Sequence, residues 1–181
     1  MYSYRLIRAN RKTMSMKIEN DCVPVVRAPF LMPESKINEF VEKNSVWIKI
    51  QLEKKTLHNQ DENYFCENET PLRTKAVEVL PVKVDNFSHI MNLFPAAVKI
   101  TSAKTRFGSC NGKNIICFSW RLMAYPEAAI DYVVVHELAH IKYKDHSKRF
   151  YALIEKYIPD YKTRKAMLKK PIMGGSEHGE I

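Results

Sequence analysis

No stretch of this 181-residue chain approaches the roughly 18 consecutive apolar residues that a bilayer-spanning helix needs, which excludes a helical membrane protein. The opening residues Met-Tyr-Ser-Tyr-Arg-Leu-Ile-Arg carry no apolar segment of the signal-peptide kind, so a cytoplasmic protein is expected. Cysteine is sparse: Cys22, Cys66, Cys110 and Cys117 form no C-x-x-C pair, which argues against a zinc knuckle and a disulfide framework. Reduced thiols, mostly buried as small hydrophobes, are expected instead. The five glycines build no Gly-rich phosphate loop, and no carboxylate cluster suited to Mg²⁺ accompanies them. Acids are missing from residues 1–17, which hold Arg5, Arg8, Arg11, Lys12 and Lys17. Residues 142–170 are also strongly basic, and the net charge is +9. Such a surface attracts polyanions, leaving a nucleotide or nucleic-acid partner open. No aromatic-interleaved nucleic-acid motif accompanies the charge, however, and a solvated face is the simpler reading.

What is present reads as an α+β protein. Residues 4–8 and 13–19 alternate around Asn10-Arg11-Lys12 and suggest a hairpin. Residues 22–28 suggest a third strand, placed at an edge by Pro24. Together they predict a small N-terminal antiparallel sheet. A helix is expected from Pro33-Glu34-Ser35 to about Lys55, with Ile37, Phe40, Val41, Trp47, Ile48 and Leu52 at helical spacing. Residues 56–70 are polar and form the best linker candidate, and residues 72–93 read as helical with a break at Pro81. The domain division expected is therefore 1–70, strands plus a helix, and 71–172, with a disordered tail at 173–181. Within the second part, Val98–Ser102 reads as a strand, Thr105–Lys113 as a loop and Asn114–Leu122 as β-rich. Pro126 opens a helix reaching about Ile141 that is apolar on nearly all sides, the mark of a core helix. Ser147 is placed to cap a helix to about Tyr157, and Pro159 to open a last one to about Lys169.

The chemistry concentrates in His136-Glu137-Leu138-Ala139-His140. On a helix, positions i and i+4 lie about 40° apart around the axis. Both imidazoles therefore face one way and can share a Zn²⁺, with Glu137 beside them as general base. Two structural histidines are the alternative, but adjacent buried imidazoles need partners or a metal to offset desolvation. A catalytic zinc takes three protein ligands and keeps one position open. His146, across the polar turn Lys142–Asp145, is the leading third ligand, and Glu155 its main competitor. Arg106, Arg121 and Tyr143 are candidates for substrate or oxyanion contacts; surface ion pairs or packing are their ordinary uses.

The segments Lys104-Thr105-Arg106-Phe107-Gly108-Ser109-Cys110, Trp120-Arg121-Leu122, Asp131 to His140, His146-Ser147 with Phe150, and Pro159-Asp160-Tyr161 together resemble the YgjP-like metal-dependent hydrolases, relatives of the SprT and WLM metallopeptidases. The resemblance is strongest over residues 98–168. It implies a zincin-like catalytic domain, zinc on His136, His140 and His146, Glu137 as the catalytic carboxylate, and the Thr105–Cys110 loop near the metal. There Gly108 and Ser109 would admit close backbone approach, or simply turn the chain. Phe107 stands where the family usually has Trp, and Ser119 where it often has Asn. The histidine spacing also fits metzincins, but Tyr143 replaces that motif's glycine. A metallopeptidase acting on a peptide or protein is the leading expectation. A nucleoside triphosphate pyrophosphatase-type hydrolase, allowed by the same resemblance, and a nucleic-acid-associated SprT-like protease are the alternatives.

Overall fold

A computed structural model describes residues 3–19 and 21–169; the tail expected from residue 173 lies outside them. The chain forms two compact units, Met1–Asn63 and Tyr64–Ile181, in an α+β architecture with six α-helices and two three-stranded sheets among the described residues. Among the described residues no helix is long and apolar enough to cross a membrane.

In the first unit, β1 (Arg5–Ala9), β2 (Ser15–Ile18) and β3 (Pro24–Pro29) form a sheet in the order β1-β3-β2. β3 runs parallel to β1 and antiparallel to β2, so the expected hairpin does not form and the sheet is mixed. The cause lies in burial. Val25, Val26 and Ala28 are all fully buried, whereas β1 and β2 alternate between exposed and half-buried positions. A strand covered on both faces belongs in the centre. Pro24 is tolerated there because it is the first residue of its strand.

The helix expected to run to about Lys55 is divided. α1 (Glu34–Lys43) ends at Asn44, whose side-chain amide donates to the Phe40 carbonyl at 2.7 Å, and α2 (Ser45–Glu67) follows directly. Ile37, Val41 and Ile48 join Val26 and Ala28 in a small core, while Trp47 stays 40% exposed. Residues 56–67, expected as a polar linker, are helical and continue α2, and the division between the two units falls among them. Their polar side chains satisfy a solvated helix face as readily as a loop.

In the second unit, α3 (Glu69–Met91) passes through Pro81 without ending. Leu72, Ala76, Leu80, Val84 and Ser88 recur every four residues and are buried. That stripe holds both sides of the proline against the core, so packing overrides the local cost. Asn92, with φ 51°, closes the helix in the left-handed conformation. β4 (Ala97–Thr101), β5 (Gly108–Cys110) and β6 (Ile115–Ser119) form the second sheet, with β6 central, parallel to β4 and antiparallel to β5. The expected Thr105–Lys113 loop thus contains a short edge strand. A 3₁₀ turn (Trp120–Ala124) leads into α4 (Glu127–Lys142), whose Ile130, Val133, Val134, Val135, Leu138 and Ala139 are buried as its all-round apolar sequence implies. α5 (Lys148–Tyr157) starts under a Ser147 cap, with Phe150 N–H donating to Ser147 Oγ at 3.5 Å. α6 (Tyr161–Met167) is shorter than expected. The four cysteines are free, but none is buried: Cys66 is exposed and the others half-buried.

Candidate metal centre

α4 and the turn after it bring three imidazoles together. His136 and His140, one turn apart on α4, meet His146 from the segment before α5. One ring nitrogen from each lies within 4.8 Å of the other two, and Nε2 of His136 and Nε2 of His146 are 3.2 Å apart. Tetrahedral ligands at about 2.1 Å from an ion sit roughly 3.4 Å from one another, so this spacing fits a shared cation. Glu155, the competitor for third ligand, is not in the cluster.

The surroundings orient the rings. His140 Nδ1 lies 2.9 Å from the Tyr143 carbonyl oxygen. A carbonyl only accepts, so Nδ1 carries the proton and Nε2 presents its lone pair to the cluster. The Tyr132 hydroxyl sits 3.4 Å from His136 Nδ1, where it can accept a hydrogen bond from that nitrogen. Phe150, fully buried, packs its ring against all three imidazoles, with centroids 4.4 Å from His140 and 4.9 Å from His136 and from His146. Burial pushes the His136 pKa down to about 3, helped by the charges of His140, His146 and Lys165. Burial also lowers His140, outweighing the Tyr143 hydrogen bond. Both rings are therefore neutral and able to ligate.

Glu137 is 4% exposed, and burial raises its pKa to about 7 against the opposing charge of Arg106. Its Oε2 has no hydrogen-bond partner among the described residues. A buried, unpartnered carboxylate oxygen is costly unless something else satisfies it. β5 confines the other side: a Cβ on Gly108 would lie 2.6 Å from Glu137 Oε1. Of the two uses weighed for Gly108, close approach to the histidine-bearing helix is thus the one realised. The three-nitrogen donor set and the orphaned carboxylate oxygen both fit a divalent metal at this site.

Three further candidates are placed differently. Arg106 is exposed, lines a small cavity with Thr101, Ser109 and Ser119, and acts on Glu137 through its charge. Arg121 is buried, its guanidinium 4.5 Å from the centroid of the Phe65 ring and 5.4 Å from that of Trp120. It does not line the cavity beside the histidines, because the 3₁₀ turn directs it into the core. Tyr143 contributes its backbone carbonyl rather than its phenol. Sequence reasoning missed Tyr132 and Lys165. Tyr132 precedes His136 by one helical turn and was open to the same spacing argument. Lys165 reaches the cavity through α6, and no local signal announces it.

No curated protein matches the chain. Among solved structures, the metallopeptidase zymogen of Pyrococcus abyssi abylysin is similar over 50% of this chain and 91% of its own, at 22% identity and a TM-score of 0.46. Residues 66–171, more than half of the sequence and the whole of the histidine cluster, match the family described as YgjP-like, metallopeptidase domain. The chain belongs to the YgjP-like family of metallopeptidase domains, and is accordingly a hydrolase of the metal-dependent kind.

Proposed function

We propose that this protein is a zinc-dependent peptidase in which His136, His140 and His146 hold the ion and Glu137 is the general base. One observation carries the reading: three convergent imidazole nitrogens stand next to a buried carboxylate whose Oε2 has no partner. A zinc ion bound there would polarise a substrate carbonyl and make water acidic enough to attack near neutral pH. Glu137 Oε2 takes the proton of the attacking water, and the same carboxyl group returns it to the leaving amine as the C–N bond breaks. Gly108 keeps the carboxylate in place, and Tyr132 and the Tyr143 carbonyl keep the imidazoles turned inward. Phe107, Val133 and Leu168 give the adjoining cavity apolar walls against which a substrate side chain can pack. The nucleotide alternative has weaker support. Among the described residues lining that cavity there is one lysine, and Glu137 is the sole carboxylate, so neither a phosphate cradle nor a second metal position is in evidence.

The test is elemental analysis of the purified protein paired with peptide cleavage by Glu137→Gln. Stoichiometric zinc should survive this substitution, while kcat falls by about 10²–10⁴-fold, the usual contribution of a general base. Metal that is absent, or that binds equally well after His146→Ala, would refute the assignment.

A further inference from the structure

Beside the histidine cluster lies a cavity of about 500 Å³. His136, His146 and Glu137 form one part of its wall, and Phe107, Tyr151 and Leu168 are among the apolar remainder. Lys165, on α6, is the one permanent cation among the described lining residues. Its neighbour Arg164 is committed elsewhere: it pairs with Asp160 at 2.9 Å and with Asp131 of α4 at 3.8 Å. Those contacts tie α6 to α4 and set the direction in which Lys165 leaves the helix. Lys165 itself has no ion pair among the described residues. Glu137 is the one acidic group in the same lining, and among the described residues no ion pair joins it to Lys165, so a ligand can bring the counter-charge that Lys165 lacks.

We propose that Lys165 is a specificity-determining residue that anchors a substrate carboxylate, so that the site favours peptides bearing one next to the bond to be cleaved. The inference rests on the peptidase reading above. Two sources supply the group: an Asp or Glu side chain, or the free carboxyl end of the peptide. Lys165 is exposed, so the pair it forms is screened by solvent and its effect is modest.

The experiment measures binding of fluorescent peptides to the full-length, zinc-loaded Glu137→Gln protein by anisotropy. Peptides identical except for Glu or Gln at each position, each with a free or amidated C-terminus, separate the two sources. A carboxylate at the preferred position should tighten binding about fivefold, the upper range for a partly exposed pair. Lys165→Met should abolish the preference, and Lys165→Glu should invert it, a swing on the order of 25-fold. The preference should also weaken as salt rises. If neither Lys165 variant alters the carboxylate preference, if no preference exists, or if none of the peptides binds, the anchor is refuted. Cleavage by the zinc-loaded natural protein separates the two claims. Cleavage with a preference indifferent to Lys165 sinks the anchor and spares the peptidase. A Lys165-dependent binding preference without cleavage does the reverse.

Discussion

Gly108→Ala is the sharpest perturbation the structure offers. The added Cβ would stand 2.6 Å from Glu137 Oε1, 2.7 Å from Cγ and 2.8 Å from Cδ. Its φ lies outside the left-handed region, so alanine brings no backbone strain and the whole effect is steric. Restoring ordinary van der Waals separation requires a movement of roughly 1 Å, and the carboxylate is the more mobile partner because β5 is paired to β6 through Gly108. Misplacing a reacting group by about 1 Å costs on the order of 10²-fold in rate, while overpacking costs stability about 1–3 kcal/mol. The three imidazoles are untouched, so zinc content should stay the same. The assay is kcat/KM on a peptide substrate, with zinc content and thermal unfolding measured on the same preparation. Gly112→Ala serves as control, since a Cβ there meets nothing within 4 Å. If Gly108→Ala keeps kcat/KM within about threefold of the natural protein, Glu137 does not act from the position seen here, and the role assigned to it is wrong.

Tyr132→Phe removes the hydroxyl 3.4 Å from His136 Nδ1 and should weaken zinc affinity about tenfold, the low end for an outer partner given the long contact; competition with a chelator reads it. Lys83→Met should lower stability by about 1 kcal/mol, because the ammonium bonds both Glu127 and Asp131 at 2.6 Å; urea unfolding measures the loss. The same series should depend on pH in a defined direction. Burial alone would lower the Lys83 pKa, but its hydrogen bonds to Asp131 and Glu127 and their charges leave it above 10.5. Its contribution is therefore whole below pH 10.5 and lost as pH rises through the raised value. Glu127, held below 4.5 by its hydrogen bond from Lys83, contributes above pH 4.5 and loses that contribution as pH falls through its lowered value. Lys83→Met should flatten both arms of the profile, and an unchanged profile would show that the pair does not act as described.

Local pattern was readable where it coincided with the final environment. The all-round apolar stretch from Ile130 to Ile141 could only be a buried segment, and His136 and His140 share a face at any helical geometry. The errors fall where a distant element decides. β1 and β2 have the alternation of a hairpin, yet β3 lies between them, because Val25, Val26 and Ala28 need cover on both faces. Residues 56–67 have linker composition, yet they continue a helix. Pro81 reads as a break, yet the stripe from Leu72 to Ser88 packs on both sides of it.

The divide at the site has the same physical basis. Spacing along one helix is a local property, so the order of residues alone determined that two imidazoles and a carboxylate would stand on neighbouring faces of α4. The return of His146, the 2.6 Å approach of Gly108 to Glu137, the diversion of Arg121 into the core and the arrival of Lys165 in the cavity were decided by tertiary structure. Each depends on which elements pack together. Packing is settled by burying apolar surface over the whole unit, and no short run of sequence records that outcome.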